Sequence, residues 1–413
     1  MPSYAAVLRT PHAVRTFGSA LLGRLSYGIV YLALMLAVIR ATGSYSVAGV
    51  FVALFGLTSG VLSPVRARII DRHGPSRALP PMAAVYASAL TALAVATWHP
   101  GTTPDLLLYG LSAVAGSSTP PLGPIMRSLW SDLLPEPALR QRAFSLDTVA
   151  EEVLYIVGPL LAGAVAALTN PALGVVLSAI LILTGSLLLA MSPPARPRPA
   201  ADIPARAPAP AVSTGASART SGFRVVAHLY RPILISASAG MCLGALSLLV
   251  VAAARNANHL AAVAWIEAAL AVGSVAGGLA YGAVTWRMPG SRRLPLLAAG
   301  LGTSFAVAGL SANLYVLAAL VGVIGLFVSP SLTTAYLLAD ETATPETRTQ
   351  AGAWVNTAFN LANSAGTALI GLLLAGLSLP VCFAIAATPP LLAALSTSVR
   401  RPSRRAASLD AMT

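Results

Sequence analysis

The 413-residue chain is 56% hydrophobic and only 9% charged, with a mean hydropathy of +0.77, whereas soluble domains carry about 25% charged residues. A soluble fold is excluded, and apolar runs close to the ~20 residues that span ~30 Å of hydrocarbon favour membrane helices over the two-residue alternation of a β-barrel. The net charge of +13 comes from 26 arginines and no lysine, which excludes the lysine-bearing phosphate loop and any lysine Schiff base. These arginines lie in short segments between apolar runs, the pattern of membrane loops and not of a nucleic-acid-binding patch.

From the N-terminus, Arg9, His12 and Arg15 precede an apolar run too long for a signal-peptide core, read as an uncleaved first span. Hydropathy gives twelve spans: 17–39, 47–65, 78–98, 106–125, 146–168, 172–191, 233–253, 260–285, 294–311, 314–338, 351–375 and 379–397. An even count puts both termini on one side. That side would hold 23 of the 26 arginines, so the rule of positive inner loops makes it cytoplasmic and the chain a multi-pass protein of the cell membrane. Between the sixth and seventh spans, residues 192–231 are dense in Pro, Ala and Arg and read as a flexible linker. The expected units are 1–191, the linker, 232–399 and a cytoplasmic tail at 400–413. Cys242 and Cys382 lie in separate apolar runs and read as free, buried thiols.

The halves echo each other. Leu146-Asp147-Thr148-Val149-Ala150-Glu151 parallels Val355-Asn356-Thr357-Ala358-Phe359-Asn360 at an offset of 209, and Pro135-Glu136 parallels Pro345-Glu346 at 210. A charged island at residues 66–77 has a worn copy 215 positions later, Gly282-Ala283-Val284-Thr285-Trp286-Arg287, which lacks the aspartate. Similar offsets imply a parallel repeat of six spans, with a binding site between the halves near mid-membrane.

The island reads Ala67-Arg68-Ile69-Ile70-Asp71-Arg72-His73-Gly74-Pro75-Ser76-Arg77, and the fifth span contains Gly158-Pro159-Leu160-Leu161-Ala162-Gly163. Both resemble signatures of the major facilitator superfamily. The first is similar to Gly-x-x-x-Asp-Arg-x-Gly-Arg-Lys, with Ala67 for the first glycine and Pro75-Ser76 for the basic pair. The second is similar to a Gly-Pro motif of exporters that exchange substrate for protons. The tract 118–127 is similar to the fourth span of actinobacterial members, although the family's Arg-x-x-x-Gly motif is not evident there, because Arg127 is expected at the cytoplasmic end. The resemblance implies an all-α integral membrane fold of twelve transmembrane helices in two pseudo-symmetric six-helix bundles, transporting a drug or metabolite by alternating access. It also implies a gate, in which Asp71 meets the positive N-terminal end of span eleven near Gln350. Arg72 and Arg77 would meet acids on neighbouring loops, Asp132 being one by proximity. A purely topological role for the island stays open. Gly158 and Pro159 imply a kink, structural or part of a rocking helix.

Arg24 lies about seven residues, or roughly 10 Å, into the first span. Tyr27 and Tyr31 share its face. A charge inside the membrane is a functional candidate by default, with snorkelling to the interface as the alternative. Asp147, Glu151 and Tyr155 share one face of span five, and Glu152 is turned about 100° from Glu151. A buried pair between Arg24 and one of the two glutamates is expected, the other glutamate being left to carry protons; a purely structural pair is the competing reading. Glu267, alone in the outer half of span eight with Ser274 on its face, is a further proton-coupling candidate or simply sits at the mouth. Asn356, Asn360 and Asn363 form a polar stripe facing either a cavity or a neighbouring helix. The five histidines all fall in loops or at span ends, and no metal or cofactor site is expected.

These residues point to a monomeric secondary transporter exporting a small, partly apolar molecule against protons across the lipid bilayer. Uptake by symport and facilitated diffusion use the same fold. A membrane enzyme would need a nucleophile and base or a metal set, which the spans lack. A receptor would need a soluble domain.

Overall fold

The computed structural model describes residues 3–196 and 229–398, so most of the expected linker and the tail lie outside the described residues. Where water is absent every backbone N–H and C=O must find a partner within the chain, and long apolar segments answer this as helices. The helices are α1 (Tyr4–Arg9), α2 (Ala13–Thr42), α3 (Tyr45–His73), α4 (Pro75–Ala96), α5 (Asp105–Ser118), α6 (Leu122–Leu133), α7 (Pro137–Leu168) and α8 (Pro171–Ala190) in the first half. The second half contains α9 (Tyr230–Asn256), α10 (Ala262–Ala283), α11 (Gly290–Ala308), α12 (Leu314–Thr342), α13 (Arg348–Leu373) and α14 (Leu379–Ser398). No strand occurs among the described residues. Gly43 and Gly74, at φ 68° and 81°, close the two tight turns that follow α2 and α3.

Nine of these helices are long and apolar enough to cross a membrane. The remaining three crossings are more polar or broken. α11 opens with Arg292 and Arg293, and α13 carries the asparagine stripe. The fourth span, expected as one helix over 106–125, is two half-helices. α5 stops at Ser118, Thr119-Pro120-Pro121 is non-helical, and α6 continues to Leu133. The cause is local: consecutive prolines remove two backbone donors and crowd the preceding turn.

Within each half, helices approach through glycine. A Cβ on Gly158 of α7 would collide with the backbone of Gly28 in α2, and one on Gly185 of α8 with the backbone of Gly23. In a membrane, where apolar burial gives no advantage over lipid, such close backbone contact is what joins helices. The expectation that Gly158-Pro159 marks a kink is thus refined: α7 runs helical through Pro159, and Gly158 is a contact surface.

The halves meet along a seam that starts at the face holding both described chain ends, here called the terminal face. Tyr4 Oη donates to Leu279 O at 2.7 Å, Gln141 Nε2 to Tyr281 O and Val284 O at 3.1 and 3.0 Å, and Arg142 Nη2 to Ala283 O at 3.0 Å. Deeper in, Ser145 Oγ donates to Gly278 O, Thr333 Oγ1 to Thr148 Oγ1 at 3.2 Å and Thr357 Oγ1 to Gly60 O at 3.0 Å. The inter-half hydrogen bonds among the described residues end about 20 Å from the terminal face, counting 1.5 Å per residue. Beyond that level Ile156, Leu160 and Tyr155 of α7 are exposed. The molecule is closed at the terminal face and parted at the other.

Replacing Gly158 with valine is expected to force α2 and α7 apart, an overpacking cost of about 1–3 kcal/mol. The thermal midpoint of the purified protein should fall by several degrees, while Gly163→Ala, which meets nothing within 4 Å, leaves it unchanged. Equal midpoints for the two variants would contradict the contact.

Candidate functional site

At the inner end of the parted region two arginines face two carboxylates. Arg24 Nη1 lies 2.7 Å from Asp147 Oδ1 and its Nη2 lies 3.0 Å from Glu151 Oε2. Arg127 Nε lies 2.9 Å from Asp147 Oδ2, and its Nη2 contacts Glu151 Oε2. Each arginine thus bridges both acids and each acid bridges both arginines. Arg24, Arg127 and Asp147 are buried, while the Glu151 side chain keeps 21% of its surface exposed toward the opening. With two charges of each sign the quartet is neutral, the arrangement that makes buried ions tolerable.

Three elements position it. Arg24 lies eleven residues into α2, deeper than the count from a start at residue 17 suggested, because the helix begins at Ala13. Asp147 and Glu151, one turn apart on α7, present their carboxylates to the same side. Arg127 comes from α6. Its expected place at the cytoplasmic end is corrected: the break at Pro120-Pro121 sends α6 past α2 and α7, and Gly123 leaves room beside Arg24, Arg127 and Glu151. The guanidinium carbon of Arg127 sits 3.5 Å from the ring centroid of Tyr336 in α12, a cation–π contact across the seam. Tyr336 Oη donates to Asn356 Oδ1 at 3.2 Å. Tyr27 Oη donates to Pro120 O, tying α2 to the break.

The expected pairing of Arg24 with one glutamate becomes a double bridge to Asp147 and Glu151. Glu152 stays outside it, beside Ser274 of α10 where the seam ends, and makes no ion pair among the described residues. Glu267 is half-buried two turns beyond Ser274 on the same face of α10. Arg24, Tyr27, Gly28, Glu151, Leu154 and Tyr155 line one small pocket. Tyr31 and Tyr155 are 41% and 52% exposed, which puts aromatic surface at the opening; Tyr31 also stands edge-on to Phe55 at 5.1 Å. The asparagine stripe divides: Asn356 lies at the seam, Asn360 is exposed, and the Asn363 carbonyl packs on α9 at Gly244.

At the terminal face, Asp71 Oδ1 accepts from Thr349 N at 3.1 Å and Oδ2 from Gln350 N at 2.8 Å, which caps the first turn of α13 across the seam. Asp132 does not meet Arg72 or Arg77. Its partner is Arg348 at 3.0 Å, because α6 and α13 converge here while both other arginines point to the exterior. Arg348 also lies 3.6 Å from Asp340, which accepts from Ser131 Oγ at 2.7 Å. Tyr336, Asp340, Arg348 and Gln141 were not singled out from sequence. The repeat offset held a signal for two of them, since Tyr336 and Asp340 stand 209 positions after Arg127 and Ser131.

A family model described as Major Facilitator Superfamily matches residues 16–256 and again 232–411. No curated protein matches the sequence. Among solved structures the chain is similar to a bacterial homologue of the iron transporter ferroportin in an outward-facing state with soaked iron, at TM-score 0.70 and 14% identity over 93% of this chain and 96% of that one. It is also similar to the human organic anion transporter MFSD10 (TETRAN), at TM-score 0.67 and 16% identity over 96% and 100%. With the model spanning both halves, and the observed helices forming the corresponding pair of six-span bundles, the chain belongs to the Major Facilitator Superfamily of membrane transporters.

Proposed function

We propose that the chain exports a small, partly apolar molecule in exchange for protons, by alternating access, with Glu152 as the proton-carrying group. The observation that carries this reading is the position of Glu152: at the inner limit of the opening, next to a neutral quartet, and without a cation of its own. Protonating Glu151 would break two ion pairs, whereas protonating Glu152 breaks none. Tyr31, Tyr155 and Asn360 offer the opening aromatic surface with scattered hydrogen-bonding groups, which suits a partly apolar solute; Glu267 lies on the route to Glu152. The iron of the ferroportin homologue is not carried over, because no group of three or more His, Cys, Asp or Glu among the described residues could hold a metal ion. On this reading the protein acts as a monomer in the cell membrane with the terminal face in the cytoplasm. Arg66 and Arg127 are buried well inside their helices and leave the count of interfacial charges, but the remaining arginines keep the same asymmetry.

In proteoliposomes loaded with a pH-sensitive dye, Glu152→Gln should abolish dye transport driven by an imposed pH gradient while leaving exchange without a gradient within about twofold, with Hoechst 33342 and rhodamine 6G as probes. Gradient-driven transport persisting in Glu152→Gln would remove it from the coupling role, and no movement of either dye by the unmodified protein would count against export of such solutes.

The Asp71 cap is proposed as the latch of the closed terminal face. A carboxylate at a helix N-terminus contributes about 0.3–1 kcal/mol, so Asp71→Asn should raise the population open at that face by roughly two- to fivefold. Maleimide labelling of a cysteine introduced at Gly352, which lies against Pro124 across the seam, reads that population. Unchanged labelling would reduce the island to a topology signal.

A further inference from the structure

Arg66 is buried two turns from the end of α3, at 6% exposure, and makes no ion pair among the described residues. A buried guanidinium without a carboxylate is costly unless its donors are used. Its Nη1 donates to Gly116 O at 3.1 Å and Ser117 O at 2.8 Å, and its Nη2 to Ser59 O at 2.6 Å. In a continuous α-helix the carbonyls of residues 116 and 117 would accept from the N–H groups of residues 120 and 121. Both of those residues are proline and have no N–H. The guanidinium therefore supplies two donors to the two carbonyls that Pro120 and Pro121 deprive of their helical partners, Gly116 O keeping besides only a long 3.4 Å bond from Thr119 N, and its charge meets the negative end of the α5 dipole. The second half offers an internal comparison at the same offset of 209. Ser329 and Pro330 stand where Pro120 and Pro121 do, only one donor is missing, and α12 runs unbroken from Leu314 to Thr342.

We propose that Arg66 is a positioning residue that holds the fourth span broken at Thr119-Pro120-Pro121 and thereby sets α6, and Arg127 on it, against Arg24 and Asp147. The break itself is tested without reference to function; its consequence for transport rests on the export reading above. Spin labels at Gly110 on α5 and Pro135 after α6 report the relation of the half-helices in the full-length protein. Arg66→Met is expected to broaden and shift the distance distribution and to lower the thermal midpoint, while Arg66→Lys, which can still donate to both carbonyls, keeps the original distance. Adding Pro120→Ala and Pro121→Ala to Arg66→Met restores the two N–H groups. This triple variant should recover the midpoint but show the longer, narrower distance of a straightened span, with Hoechst 33342 export at least tenfold below the unmodified protein. An original distance in Arg66→Met, or in the triple variant with its midpoint recovered, would overturn the proposal. If Arg66→Met does not fold, the triple variant and Arg66→Lys decide the matter. Failure of the unmodified protein to move the dye would count against the export reading alone, since the distance measurement does not depend on it.

Discussion

Two guanidinium groups in the interior of a membrane protein need two negative charges within reach, and the surroundings of Arg24 and Arg127 follow from that demand. Removing one partner of a buried pair costs about 3–5 kcal/mol. The shared geometry, in which each carboxylate touches both arginines, links three helices at a single depth. α2, α6 and α7 cannot drift independently without exposing a charge to hydrocarbon. The close approach of Gly28 to Gly158 between α2 and α7 serves the same end, since a bulkier contact would lengthen the reach from Arg24 to Asp147.

The seam between the halves has a different chemistry. Besides the stacking of Arg127 on Tyr336, its deeper contacts are hydroxyl to carbonyl or hydroxyl to hydroxyl, as in Ser145 to Gly278, Thr148 to Thr333 and Thr357 to Gly60. Neutral hydrogen bonds contribute about 0.5–1.5 kcal/mol each on balance, so no single one of them locks the halves together. Among the described residues ion pairs cross it only at the terminal face, where Arg348 meets Asp132, and there solvent can replace either partner. Close backbone contact thus fixes both bundles internally, with buried charge added in the first, and the two are joined to each other largely by single neutral hydrogen bonds.

Composition alone made the membrane architecture legible, because hydrocarbon thickness fixes span length and leaves few alternatives. The carboxylates of α7 could be assigned to one face from spacing within a single helix. What spacing cannot supply is a partner from a helix that changes course: a continuous fourth span would put Arg127 at the membrane edge, whereas the break sets it beside Asp147. The two prolines that break it were visible, but their effect on the path of α6 depends on Arg66, fifty residues earlier, and a long-range hydrogen bond has no periodic signature. Asp132 is expected near Arg72 or Arg77 because all three belong to the same membrane face, whereas the convergence of α6 with α13 decides its contact. Asp71 differs because a helix N-terminus attracts carboxylates wherever the fold brings one near.

The duplicated halves have diverged in charge while keeping their positions. Arg127 and Asp147 of the first half correspond to Tyr336 and Asn356 of the second, and both pairs form: an ion pair in one and a neutral hydrogen bond in the other. The corresponding residues Ser131 and Asp340 bond to each other across the seam, as they would if the pseudo-twofold axis passed between them. The quartet therefore belongs wholly to one bundle, which meets the other through the face of the Tyr336 ring. Separating the halves at this level exposes an aromatic face and a guanidinium that retains both carboxylates. Had Tyr336 been an acid, the seam would carry a buried ion pair, which costs several kcal/mol to separate; a phenol ring provides instead a cation–π contact of about 0.5–2 kcal/mol, which joins the halves without binding a charge of one to a charge of the other.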